Sequence, residues 1–398
     1  MKVLANPVST PLMKPLKERV ATLGVFLANG FGIGAWAVEV PRIKESLSLS
    51  DTSLGIALFA FALGAIIAMP LAGQLAPRFG SGRATALLGA AFVVALPLPT
   101  FAPNLATLCI VLLALGAANG ALDVSMNGHA STIETQWKSP IMSSFHAAWS
   151  AGGLLGAATG AMLQKNGVGV IGGLVLPDVF IAVLMLAAAV LALRDLGPRA
   201  AVSSSGFALP NAKVMKLALL AFLCMMVEGA VADWSAVYLR ATLSEAASVA
   251  AVGYSAFAFS MAACRIVGDV SVRRFGSSKV VGFGGLLAAA GLALVLSLPT
   301  VLTACVGFAM VGVGLANIVP VIFSAAGRST VTPAVGVSMA ATAGYAGFLA
   351  GPPLIGLGAG LLGLRVALGV LVVATMIVCL TGGKAVRGAS VAWNTPGL

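Results

Sequence analysis

The sequence predicts an all-α integral membrane protein: twelve transmembrane helices in two related six-helix bundles. Three observations carry that expectation. The 398 residues are 59% hydrophobic and only 9% charged, with a mean hydropathy of +1.04, whereas a soluble domain carries about 25% charged residues. Apolar runs of bilayer-spanning length, about 20 residues, recur along the chain. The two halves of the chain also echo each other.

The runs fall at 20–41, 54–76, 84–102, 105–129, 141–163, 172–193, 216–238, 247–271, 280–298, 301–326, 334–358 and 362–382. The sixth has the least distinct start, because Pro177 and Asp178 sit in its first turns. Basic residues sort by side. With the N-terminus inside, the cytoplasmic segments hold 17 of the 23 lysines and arginines, from Lys2, Lys14, Lys17 and Arg19 through to Lys384 and Arg387. The opposite side holds Arg42, Lys44, Lys165, Arg240 and Arg365, and Arg265 stays within a span. Short loops rich in Lys and Arg stay cytoplasmic, so both termini are expected there, in a multi-pass inner (plasma) membrane protein. The same distribution explains the net charge of +11 without a nucleic-acid partner.

The first 18 residues are polar and basic and lack the short apolar core of a cleaved signal peptide. Five cysteines (Cys109, Cys224, Cys264, Cys305 and Cys379) lie singly inside apolar runs, without disulfide or metal spacing. They read as packing residues. No metal and no cofactor is expected, and the chain is expected to be a monomer in the bilayer.

The longest polar break, "RDLGPRAAVSSSGFALPNAKVMK" at 194–216, falls midway along the chain. It divides a first half (1–193) from a second (217–383), with a tail at 384–398. "GQLAPRFGSGR" (73–83) follows the second run and "DVSVRRFGSSK" (269–279) follows the eighth, and their shared RFGS is displaced by 196 residues. "GAAN" (116–119) answers "GLAN" (314–317), and Pro140 and Pro333 open the fifth and eleventh runs. Two parallel halves with a site between them are a transporter arrangement.

On these residues the chain resembles the major facilitator superfamily over essentially its whole length. The family's loop pattern is Gly-x-x-x-Asp-Arg-x-Gly-Arg-Lys/Arg. Gly73, Arg78 and Gly80 fit it, Arg83 falls one place beyond the basic pair, and Pro77 stands where the acid is expected. In the second copy Asp269 occupies the leading Gly position, Arg273 the acid position, and Arg274 and Gly276 fit. The resemblance implies that these residues form the gating loops.

Ionisable groups at membrane depth cost several kcal/mol unless they face protein or water. Five invite a functional reading: Glu39, Asp123, Glu228, Asp233 and Arg265. "AANGALDVSMNGHA" (117–130) places Asn119, Asp123 and Asn127 at steps of four, on one helical face. At about 1.5 Å per residue, Asp123 and His146 of "SSFHAAWSAGG" reach similar depth on consecutive antiparallel helices. They could hydrogen-bond or exchange a proton, because histidine has the side-chain pKa nearest neutrality. Trp149, at i+3 from His146, is a core residue or a stacking surface. Glu39 in "GAWAVEVPRIKESL" lies near the outer end of the first run, where Trp36 and Pro41 mark the boundary, and could sit at the mouth of a cavity. Glu228 in "MMVEGAVADWSAVYLR" falls near mid-membrane and is a substrate or coupling candidate, while Trp234 and Tyr238 fit an aromatic belt. Arg265 and Asp269, spaced i,i+4, read as a stabilising pair. Asn317 with Pro320 suggests a broken-helix site or an interhelical hydrogen bond, and Tyr345 could reach the same cavity.

"AVEVP" (37–41) and "LDVSMNG" (122–128) sharpen the resemblance toward the fucose–proton symporter branch. That branch carries an acid on its first helix and Leu-Glu-x-x-x-Asn-Pro on its fourth. Leu122, Asp123 and Asn127 match with Asp for Glu, and Gly128 replaces Pro. On the fifth helix Phe145 and His146 match Phe-Asn, with His for Asn. The resemblance implies Glu39 and Asp123 as proton-coupling acids.

The expected function is proton-coupled secondary transport of a small polar solute, of which a sugar is one candidate, by alternating access. The alternative within transport is a drug or amphiphile–proton antiporter. Asn119, Asn127, His146 and Asn317 favour a polar cargo over an amphiphile. No Walker-type loop occurs, which argues against ATP as the driving force. An enzyme would need a nucleophile–base pair or a metal cluster, and His129 and His146 are the only histidines. A channel or sensor fits less well than alternating access between repeats.

Overall fold

The computed structural model describes residues 15–191, 193, 211–243, 247–298 and 300–387. The first half consists of α1 (Leu16–Ser46), α2 (Asp51–Phe79), α3 (Ser81–Ala95), α4 (Leu105–Trp137), α5 (Met142–Lys165) and α6 (Val170–Leu191). A short 3-10 turn, Leu98–Phe101, extends α3. The second half holds α7 (Ala212–Leu243), α8 (Ala247–Ile266), α9 (Gly268–Phe275), α10 (Ser277–Ser297), α11 (Val301–Leu315), α12 (Ile318–Gly327), α13 (Pro333–Leu362) and α14 (Leu364–Arg387). Helices are the expected element, since in hydrocarbon every backbone donor and acceptor must be satisfied within the span.

Ten spans are long and apolar enough to cross a bilayer by themselves, and α8 with α9, bent by 61°, makes an eleventh. The twelfth is α5, whose 24 residues are diluted by Ser143, Ser144, His146, Trp149 and Ser150. The protein is therefore a multi-pass integral membrane protein of the expected fold class. Alternation places the start of α1 and the end of α14 at one end of the bundle, the terminus end. The expected N-terminal segment, the linker stretch 194–210 and the final residues 388–398 lie outside the described residues, and with them Lys2, Lys14, Arg194 and Arg199. The helices outrun the apolar runs. α7 begins at Ala212 and α14 reaches Arg387, because lysine and arginine stems can lie along lipid while their heads reach water.

Local chemistry sets the ends. Ser50 and Asn104 cap α2 and α4 by accepting from Ser53 N and Thr107 N, and Thr300 with Thr303 forms a capping box on α11. Gly80 and Gly276 close the two RFGS turns at φ 92° and 81°, a region that only glycine enters without strain. Pro41 is not a boundary, because α1 continues through it to Ser46. Trp36 is correspondingly buried rather than interfacial. Tyr238 is no belt residue either; it is fully buried and donates to Val295 O at 2.8 Å.

Each half packs by close approach of backbones. A Cβ on Gly152 or Gly156 of α5 would strike Leu27 O or Phe31 O of α1. Small residues let helices meet this closely in lipid, where no hydrophobic effect drives them together. Large apolar side chains such as Val190, Phe259, Ile266 and Leu302 point outward, each more than 70% exposed.

The halves meet at the terminus end. Ser144 N, in the first turn of α5, donates to both Asp269 carboxylate oxygens at 3.2 Å. Glu134 of α4 accepts from Arg328 Nη1 at 3.0 Å and from Ser324 Oγ. Arg273 reaches Pro140 O at 3.5 Å. A Cβ on Gly73 of α2 would strike Ser338 of α13. Among the described residues no comparable hydrogen bond joins the halves near the opposite end. The sides of the molecule are thus unequally closed.

Candidate functional site

A cavity of about 80 Å³ lies where the halves face each other. From the first half come Phe26 of α1, Asp123 and Met126 of α4, and His146 and Trp149 of α5. From the second come Met225 and Glu228 of α7, Arg265 of α8, Val319 and Phe323 of α12, and Tyr345 of α13. Ligand pockets commonly hold about 300–1,000 Å³, so the cavity is contracted in this conformation.

Asp123 is the acid that the first half brings to the cavity. Its Oδ1 accepts from Asn127 Nδ2 at 3.2 Å, while Oδ2 is buried without a partner. His146 Nε2 is likewise buried and unpartnered, and its ring is held between Phe26 and Phe323, at 5.7 and 5.9 Å between centroids. Phe323 belongs to the other half. The direct Asp123–His146 hydrogen bond that the sequence suggested does not form. The two aromatic neighbours fix the imidazole, and both polar groups face the cavity separately. A buried polar atom left unpaired costs about 1–3 kcal/mol, so the site carries groups that gain by meeting water, a proton or cargo.

Arg265 brings the cavity's positive charge. It donates through Nη1 to Ser150 Oγ at 2.7 Å, across the halves, and through Nε to Ala316 O at 3.2 Å. It does not pair with Asp269. The chain breaks at Val267 between α8 and α9, and the bend turns the two residues apart. Glu228 shares the cavity and feels the Arg265 charge, yet among the described residues no ion pair binds Arg265 to a carboxylate.

A chain of amides stands behind the cavity wall. Trp149 Nε1 donates to Asn29 Oδ1 at 2.9 Å, and Asn29 Nδ2 donates to Asn119 Oδ1 at 2.9 Å. An indole N–H can only donate, which fixes both amide orientations. Asn119 then has its amide hydrogens to offer on the side of the Tyr345 hydroxyl.

The structure gathers Asp123, His146, Trp149, Glu228 and Tyr345 around one cavity and leaves other candidates elsewhere. Asn119 stands one layer behind, and Asn127 bonds back to Asp123 O within α4. Asn317 sits at the break between α11 and α12 and donates to Cys264 O at 3.3 Å, so it is a helix joint and not a cavity residue. Glu39 is not at a cavity mouth. It is fully buried, ion-paired with Arg42 at 2.9 Å, and Arg42 in turn holds Val168 O. Asp233 lies exposed on α7, outside the cavity. Of the loop residues, Gly80 and Gly276 make matching turns, Gly73 is a close-approach point, and Arg274 stacks on Phe275 at 5.6 Å. Arg78 and Arg83 flank the first turn at the terminus end.

Two residues went unread in the sequence, and a third was read with the wrong partner. Asn29 is a neutral amide among glycines and alanines, with nothing local to mark it. Glu134 shows only as an acid eight residues before α5, where it accepts from Ile141 N and Met142 N at 3.0 and 3.2 Å. Arg265 was visible as an intramembrane charge, but its partner depends on the bend.

Comparison with known proteins accords with this geometry. The family model described as Major Facilitator Superfamily matches residues 22–341. The chain belongs to the major facilitator superfamily. Members of the superfamily are transporters, not enzymes. The chain is 38% identical, over 355 residues, to an uncharacterized MFS-type transporter of Yersinia pestis, covering 89% of this chain and 92% of that one. It is 36% identical over 357 residues to membrane protein MosC of Rhizobium meliloti, covering 89% and 87%. Among solved structures, the Escherichia coli fucose:proton symporter superposes with a TM-score of 0.71 at 14% identity, over 95% of this chain and 100% of that one. The proton:xylose symporter XylE superposes at 0.73 with 13% identity, over 93% and 95%. At such identity these two likenesses speak for the superfamily fold alone.

Proposed function

We propose that this facilitator is a proton-coupled secondary active transporter that carries a small polar, sugar-like solute across the plasma membrane by alternating access. One observation supports this most directly. Asp123 and His146 each present an unpartnered buried polar atom at a cavity that both halves line with Glu228, Arg265, Trp149 and Tyr345. Asp123 is the coupling acid in this reading, and His146 assists proton passage. Glu228, Arg265 and the Tyr345 hydroxyl bind polar groups of the cargo, and Trp149 offers a ring face. Glu39, locked to Arg42 outside the cavity, serves the first half's structure in this reading, and Asn317 the joint between helices.

The termini are cytoplasmic in this proposal, as the basic loops require. The closed end is then the cytoplasmic one, and cargo enters from outside. The chain works as a monomer with two halves (1–193 and 217–383) rocking about the site. A drug or amphiphile antiporter is the second reading. The apolar side chains of Phe26, Met126, Met225 and Phe323 on the same wall favour it.

A thermal-shift screen of sugars, sugar acids, amino acids and amphiphiles separates the two, because binding to the native state stabilises by mass action. A sugar-class hit is expected. In proteoliposomes the flux of that hit should collapse when the proton gradient is dissipated. Flux indifferent to the gradient rejects coupling, and stabilisation by amphiphiles alone rejects the polar-cargo reading.

A further inference from the structure

The internal repeat places two corresponding grooves on the lipid-facing surface, one in each half, and among the described residues the second carries more positive charge. The first lies between α1 and α6 and is lined by Lys17, Val20, Leu184 and Ala188, among others. The second, of about 680 Å³, lies between α7 and α14 and is lined by Lys213, Lys216, Leu380 and Lys384, among others. Each named residue of the second stands 196 positions after its counterpart in the first, the same displacement as the RFGS loops. Lysine recurs at Lys17 and Lys213. Val20 becomes Lys216, and Ala188 becomes Lys384.

The second groove is amphipathic along its length. Lys216 and Lys384 are exposed within one turn of the terminus-end limits of α7 and α14. Below them Leu219, Ile377 and Leu380 present apolar walls, 57%, 40% and 67% exposed. Among the described residues no carboxylate lines either groove. Three cations set above an apolar slot, at the level of the headgroups, match one ligand chemistry: a phosphate on two acyl chains. Basic pockets between transmembrane helices on the cytoplasmic side suit anionic headgroups.

We infer that the groove between α7 and α14 is a binding site for one anionic phospholipid. Its phosphate sits between Lys216 and Lys384, with Lys213 alongside, and its acyl chains run along Leu219, Ile377 and Leu380. The first groove, where Lys17 is the one cation among the described lining residues, is the built-in comparison: the matching place in the fold with less charge. The inference concerns the lipid-facing surface and stands independently of the cargo reading.

The test is native mass spectrometry of the full chain, stripped of lipid and re-supplied with phosphatidylglycerol or phosphatidylcholine of equal chain length. The wild type should retain one phosphatidylglycerol and show no matching retention of phosphatidylcholine. The double variant Lys216→Val/Lys384→Ala installs the residue types of the first groove at two exposed positions. It should lose roughly thirtyfold in phosphatidylglycerol affinity, the effect of two interfacial lysines. Val20→Lys, at an exposed position of the first groove, should add a second, weaker phosphatidylglycerol adduct and decides the matter if the double variant does not fold. Equal retention of the two lipids by wild type overturns the proposal, as does undiminished retention by the double variant or no added adduct with Val20→Lys.

Discussion

At the scale of the residue, a few polar atoms in an apolar chain carry the chemistry. Asp123 was legible because a carboxylate inside a long apolar run has no structural excuse that is visible locally. Asn29 was not, since an amide's role depends on what faces it, and Trp149 faces it from 120 residues away. Each makes a distinct prediction. Asp123→Asn keeps the shape and the hydrogen bond to Asn127 but removes the titratable group. Proteoliposomes with that variant should still exchange cargo, yet bring it only to equilibrium under a proton gradient. Undiminished accumulation would remove Asp123 from the coupling role. Asn29→Asp tests the amide chain. The new carboxylate still accepts from Trp149 Nε1, but when ionised it cannot donate to Asn119. Asn119 then turns its amide round to donate to the new carboxylate, so that its oxygen and not its hydrogens faces the Tyr345 side. Cargo affinity should drop roughly tenfold, about the effect of one misdirected buried hydrogen bond. The tyrosine Raman doublet should move in the direction of a changed donor. An unmoved doublet in a folded variant rejects the assigned polarity.

At the scale of the element, what could be read was length and hydropathy, and what could not was where a span breaks. Twelve crossings follow from apolar runs because a bilayer sets one length for all of them. The bend between α8 and α9 has no such signal. Gly268 packs against Asn317 of its own half and Ser143 of the other, contacts that exist only once distant parts of the chain have come together. The bend matters because α8 and α9 grip α5 twice, through Arg265 on Ser150 and Asp269 on Ser144. Asp269 meets the N-terminus of α5, where free backbone N–H groups and the helix dipole favour an anion. Asp269→Ala should therefore weaken closure at the terminus end by about 1–3 kcal/mol. Pulsed electron-spin distances between α5 and α9 labels should shift toward a longer population. A distance distribution unchanged from wild type would mean the contact is incidental to closure.

At the scale of the whole molecule, the repeat explains both the symmetry and its departures. Trp149 and Tyr345 stand 196 residues apart and occupy matching places on the cavity wall, one from each half. Asp123 and Val319 hold the same relation, so the acid has been kept in one half alone. In the proposed mechanism such asymmetry puts the coupling acid on one side of a symmetric rocking frame. The closed end must open once in every cycle if the halves rock, and a covalent clasp there should stop turnover. A Cβ on Gly128 of α4 would lie 2.9 Å from Ala334 Cβ of α13, across the halves. Disulfide geometry wants about 3.5–4.5 Å between Cβ atoms, so a small outward shift admits a bond. With the five native cysteines replaced, Gly128→Cys/Ala334→Cys should transport when reduced and stop when oxidised. Cargo should still bind from the opposite side to the oxidised protein, and reduction should restore flux. Continued turnover by fully cross-linked protein would mean that the halves need not separate at the terminus end, and alternating access about this cavity would fail as the mechanism.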